Sequence, residues 1–181
     1  LSAVLLALLL ASSATVSQRV QSVVTEAKVF VSGSTDGSSS YMMTSSGARL
    51  AMWKLSIEEI AQRPLIGAGT GSYRHLAKQA FTDSALCGIT CVHPHNQFLF
   101  FGVEYGLVGI AAYLFYFYRA SRFANTLAQA QKSLLLGFLG ILFVDSMVHG
   151  ALWLAVESHF FTFMMALFMA TAVPQKTTET P

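Results

Sequence analysis

The sequence predicts an all-α integral membrane protein, the C-terminal portion of a multi-spanning helical bundle with a large, mostly helical outer loop. Three observations predict it. The 181 residues are 54% hydrophobic and only 11% charged, with a mean hydropathy of +0.54, which is greasier and less charged than an ordinary soluble domain. Several apolar runs approach the ~20 residues that a helix needs to cross a bilayer. Charge is also segregated: seven of the eleven basic residues and five of the nine acidic ones fall within 15–91, between apolar runs. A net charge of +2 with no basic stripe interleaved with aromatics argues against a nucleic-acid partner.

Residues 1–14 read as the end of a truncated transmembrane helix. The chain opens on Leu1 inside an apolar run and lacks the basic start of a signal peptide. Residues 15–96 follow as an extracytoplasmic, periplasmic loop domain. Within it, 32–40 (SGSTDGSSS) is a flexible connector. Residues 49–62 read as an amphipathic helix with Leu50, Trp53, Ile57, Ile60 and Ala61 on one face. Pro64 ends it, because the residue before a proline is biased out of the helical region. The glycine-rich run from Pro64 to Gly71 lacks the strand-to-helix context of a phosphate loop and reads as a tight turn.

Residues 97–118 form a transmembrane helix whose Gly102, Gly106 and Gly109 admit a close neighbour. Residues 119–132 are a cytoplasmic loop, 133–149 and 151–173 two further transmembrane helices, and 174–181 a cytoplasmic tail. Orientation follows from Arg119, Arg122 and Lys132 in the short loop, since short basic loops stay inside. The long domain then faces outward.

Chemistry concentrates in Val92-His93-Pro94-His95-Asn96, at the mouth of the span that begins at Gln97. A neutral imidazole accepts a proton near physiological pH, so His95 is the candidate catalytic base; the blander alternative is that both histidines merely flank a membrane helix. Cys87 and Cys91 leave three states open: a local disulfide, which an oxidising outer side favours, free thiols, or a metal site shared with His93 and His95. The spacing fits no common zinc pattern, which makes the metal site the least favoured of the three. In the last hairpin, Asp145, His149, Glu157 and His159 are ionisable groups at or near membrane depth. Asp145 and His149, with His93 and Asn96, are the candidates for lining the site.

An ordered set of motifs spans residues 49–109: Arg49-x-x-x-Trp53, Pro64-Leu65-Ile66-Gly67-Ala68-Gly69, His93-Pro94-His95-Asn96, then nine residues and Gly106-x-x-Gly109. It resembles the O-antigen ligase family of bacterial polysaccharide enzymes. The resemblance implies a multi-pass inner-membrane glycosyltransferase that needs neither metal nor nucleotide. Its donor would be an undecaprenyl-diphosphate-linked glycan and its acceptor a lipid A-core sugar or another glycan. It also implies that His95 is essential and that Arg49 engages the diphosphate. Arg74, one turn beyond the glycine run, is a second candidate for that charge, whereas substitution of His93 or His75 is expected to matter less. A polymerase or a protein-glycosylating enzyme of the same superfamily, and a transporter fragment with a capping loop, are the alternatives.

Overall fold

The computed structural model describes residues 13–32, 44–82, 87–88 and 90–170. Residues 1–12 of the expected span end at 1–14, nearly all of the connector and the tail lie outside them. The described elements are all helical: α1 (Ala14–Ser32), α2 (Ser45–Gln62), α3 (Ser72–Ala80), α4 (Gln97–Ala124), α5 (Gln129–Val148) and α6 (Ala155–Ala170). The chain divides into two compact units, 1–51 and 52–181. In the first, Thr44 opens α2 by accepting the Gly47 N–H on its Oγ1 at 3.1 Å, a hydroxyl cap for an otherwise unbonded amide.

Among the described residues, two helices are long and apolar enough to cross a bilayer, α4 with 28 residues and α5 with 20. The 16 residues of α6 fall short of the usual ~20, so a third full crossing is not what the described helix provides. The connection between α4 and α5 is also shorter than expected. Arg119 and Arg122 belong to the last turns of α4, and only 125–128 intervene, because nothing between Tyr118 and Ala124 breaks a helix. The core lies among α4, α5 and α6, around Ala120, Ala124, Leu135, Leu139 and Met165, and then Phe138, Leu142 and Phe161. Tyr113 and Ser146 are hydrogen-bonded inside it. Ser146 Oγ donates to Leu142 O at 2.6 Å, which leaves the Tyr113 hydroxyl to donate to Ser146 Oγ, also at 2.6 Å. Leu107, Val108, Phe115, Leu134, Ile141, Val144 and Phe163 are more than half exposed on the outer faces, as lipid-facing residues are.

The expected apolar face of α2 is corrected. Met52 and Ser56 are buried while Ile57 is 59% exposed. Ser56 can turn inward because its hydroxyl bonds its own helix at Met52 O, 2.8 Å away, so burial leaves no polar group unsatisfied.

The glycine turn explains the break in α4. Gly106 is non-helical, with φ 63 and ψ −154. In a regular helix Leu107 N–H would bond Val103 O and Val108 N–H would bond Glu104 O. Here all four groups bond the turn: Ala68 N–H to Val103 O at 2.8 Å, Gly69 N–H to Glu104 O at 2.9 Å, Leu107 N–H to Pro64 O at 2.7 Å and Val108 N–H to Leu65 O at 3.2 Å. Irregular backbone in an apolar helix is tolerated where protein satisfies its polar groups. Gly67 and Gly106 make the clip possible. A Cβ on Gly67 would lie 2.6 Å from the Glu104 carbonyl carbon, and one on Gly106 would strike the backbone of Leu65. The close neighbour foreseen for Gly106 is thus the turn rather than another spanning helix, and Gly102 faces Ile60 of α2.

Candidate functional site

The histidine turn is held from several sides. Trp53 on α2 donates its indole N–H to Pro94 O at 2.9 Å. Upstream, Cys87 and Cys91 form a disulfide, and Tyr73 on α3 donates its hydroxyl to Thr90 O at 3.0 Å. Burial raises the Tyr73 pKa beyond the ordinary phenol range, so this hydroxyl remains a donor at any physiological pH. Downstream, Asn96 caps α4: its Oδ1 accepts the Leu99 N–H at 3.0 Å while its Nδ2 donates to Met147 O at 2.9 Å. Gln97, almost wholly buried, accepts the Leu152 N–H on Oε1 at 3.1 Å. The start of α4 is thereby tied to both ends of the α5–α6 connection.

Between these anchors His95 takes φ 49, in the left-handed region that a residue with a Cβ occupies at a cost. Its own N–H donates to Nδ1 of His93 at 3.0 Å. His93 is 5% exposed. Burial, then the neighbouring His95 and His149, push its pKa down to about 4, so it is neutral at physiological pH and Nδ1 is free of its proton to accept.

Three histidine rings converge here. The centroid of His93 lies 4.2 Å from that of His95 and 5.9 Å from that of His149, and His95 and His149 are 5.6 Å apart. Trp153 packs on His93 at 4.8 Å. His149 Nδ1 lies 3.4 Å from Glu157 Oε2. Gly150 permits this packing: a Cβ there would come within 3.2 Å of His93 Nδ1. The arrangement can accept a proton at a half-buried imidazole and has a second imidazole, set against a carboxylate, alongside it.

The structure brings together His93, His95, Asn96 and His149 from the expected set. Asn96 serves as a cap with both ends of its amide engaged, so its contribution is to aim the helix. Asp145 is represented at the cluster by its carbonyl, which accepts the His149 N–H at 2.7 Å. Arg74 lies in a different place, an open concavity with Gly71, His75 and Lys78. Arg49 is an exposed residue of α2 in the first unit. The four-ligand metal alternative does not survive, since both sulfurs are joined to each other. The glycine turn cannot cradle a phosphate with these amides either. The Ala68 and Gly69 N–H groups hold α4, and Gly71 N–H bonds Glu104 Oε1 at 2.9 Å.

Sequence reasoning passed over Trp153, Gln97 and the partnership of Glu157 with His149. The signal for Gln97 was faint: a polar residue directly after a helix cap, at the start of an apolar run. Nothing in the spacing announced the others, which depend on the fold bringing 93–97 against 147–157.

With this geometry in place, two comparisons bear on it. The model of a known protein family, described as O-antigen ligase, matches residues 1–114, well over half of the 181 residues. The matched stretch takes in the glycine turn, the histidine turn and α4 as far as residue 114. No curated protein matches the chain.

Proposed function

The chain belongs to the O-antigen ligase family, a membrane-associated family that acts on lipid-linked glycans, and from that premise we propose that it transfers polysaccharide from undecaprenyl diphosphate to a lipid A-core sugar at the outer face of the bacterial inner membrane. The observation that carries the reading is the convergence of His95 with His93 and His149 where α4 begins. A lipid-borne diphosphate would emerge from the bilayer at such a place.

In the proposed step the oxygen of an acceptor hydroxyl forms a bond to the anomeric carbon of the donor. The bond from that carbon to the diphosphate oxygen breaks, and the electron pair leaves with the diphosphate. His95 takes the hydroxyl proton. Such general-base help is typically worth ~10²–10⁴-fold. Arg49 and Arg74 are the proposed cations for the diphosphate, because a guanidinium presents a planar fork of donors to phosphate oxygens. An open apolar groove of about 750 Å³, lined by Tyr105, Tyr113, Leu152, Phe161 and Met165 among others, suits the polyisoprenyl tail. The Cys87–Cys91 disulfide supports placing 15–96 on the oxidising, periplasmic side.

The test is transfer in reconstituted vesicles containing the full-length protein, an undecaprenyl-diphosphate-linked glycan and a lipid A-core acceptor. The expected product is glycan on the lipid A core, with release of undecaprenyl diphosphate. Lengthening of the donor without that acceptor would make the protein a polymerase. Glycan appearing on protein would make it a protein-glycosylating enzyme, and movement of glycan without bond exchange would make it a transporter.

A further inference from the structure

Glu157 is an acidic side chain set against the histidine cluster, and the proposed transfer step leaves it unused. It sits in the first turn of α6, where an acid is ordinarily explained by the helix dipole. Two observations go beyond that. Its Oε2 has no hydrogen bond and is shut off from solvent, and a carboxylate oxygen so placed calls for a cationic or N–H partner. That same oxygen faces His149 Nδ1 at 3.4 Å. The backbone of His149 is held by its N–H bond to Asp145 O. The rings of His93 and His95 also face the His149 ring.

We propose that Glu157 is a positioning residue: it holds His149 with the proton on Nδ1, so that Nε2 is the lone-pair acceptor for the proton His95 removes from the acceptor. A carboxylate behind an imidazole fixes its tautomer and offsets the charge that forms on it, the logic by which such pairs operate in general. The proton balance is simple. His95 gains the hydroxyl proton as the new C–O bond forms, passes a proton to His149 directly or through one water, and returns to its neutral form. His149 becomes an imidazolium beside Glu157 and releases the proton to solvent or to the departing diphosphate. With His93 neutral and its Nδ1 occupied by the His95 N–H, His149 is the histidine of the cluster suited to receive it.

This role rests on the ligase reading, so the experiment has two arms. In the first, the full-length protein is labelled with ¹⁵N-histidine in bilayer nanodiscs, and the ring nitrogens of His149 are assigned with His149→Gln. The neutral His149 should be the Nδ1–H tautomer in the wild type and shift toward Nε2–H in Glu157→Gln. The same tautomer in both proteins overturns the proposal. In the second, glycan transfer is measured for wild type, Glu157→Gln and Glu157→Asp. The Gln variant should lose roughly tenfold or more in kcat with little change in KM, and the Asp variant should recover part of it. A Gln variant with wild-type kcat also overturns the proposal. The expected tautomer shift between the two proteins, together with a wild type that transfers no glycan, would overturn the ligase reading and leave the Glu157–His149 pairing in place. A helix-dipole role alone would lower stability in the Gln variant and leave the tautomer as it was.

Discussion

The backbone N–H of His95 donates to Nδ1 of His93 at 3.0 Å, so the buried histidine of the pair fixes the main chain of the half-buried one. His95 could not hold φ 49 as readily without that acceptor. The order of importance drawn from the sequence is thereby changed: His93 is more than a bystander. His93→Ala leaves the His95 N–H without its partner, a loss of about 1–3 kcal/mol where the group is buried. Transfer by this variant is expected to fall at least tenfold while membrane levels stay measurable. Wild-type transfer by His93→Ala would show that the bond does not matter to the site.

Burial of His93 makes the fold sensitive to acid. The pKa of His93 is pushed from 6.5 down to about 4 by burial and by His95 and His149. Between those values the unfolded chain binds more protons than the folded one, so stability rises with pH across the window. The contribution is fully present above about pH 6.5 and is lost as pH falls toward 4. Thermal unfolding in detergent at a series of pH values should show a falling midpoint over that range. The fall should be shallower in His93→Gln, and equal slopes would remove His93 as its source.

The clip between the glycine turn and α4 sets a graded series. Gly106→Ala and Gly67→Ala combine a positive φ with a clash against backbone and should each cost roughly 2–4 kcal/mol. Gly69 also has a positive φ, but nothing lies within 4 Å of its added Cβ. Gly69→Ala should therefore cost only about 1 kcal/mol. Unfolding midpoints in detergent give the comparison. Three similar values would mean that the glycines matter only for backbone freedom and not for close approach.

Topology can be checked with single cysteines in a background where Cys87 and Cys91 remain paired. An impermeant thiol reagent applied to spheroplasts should label a probe at Ser38 and leave one at Ala128, in the 125–128 connection, unlabelled. The opposite pattern would place His95 on the wrong side for an exported donor. Alkylation followed by mass spectrometry should find both native cysteines blocked until they are reduced, as the disulfide requires.

Local signals were legible in the sequence and long-range ones were not. The end of α2 before Pro64, the start of α4 at Gln97 and the long apolar helices all follow from chemistry within a few residues. The pairing of Cys87 with Cys91 was one of three states left open, favoured by an oxidising outer side and not by the spacing. The destination of the glycine turn was not, because its partners at 103–108 lie some forty residues away and their carbonyls and amides carry no sequence signature. The buried face of α2 was misread for a related reason. In a chain whose outer faces are apolar, hydrophobicity does not mark the inside, and Ser56 rather than Ile57 turns inward. His149 could be named as a site candidate, but its carboxylate partner depends on how α6 begins after the 149–154 connection.

The most direct measurement is transfer by His95→Ala in the full-length protein, expressed in a deletion strain, with membrane abundance as the control. The general-base role carries the ligase reading, and the companion Arg49→Lys separates it from diphosphate binding, since a lysine keeps the charge but not the fork of donors. The expected result is an abundant, inserted His95→Ala protein that transfers no detectable glycan to the lipid A core, and a substantial loss in Arg49→Lys. Near-normal transfer by His95→Ala would contradict the assignment of His95 as the base.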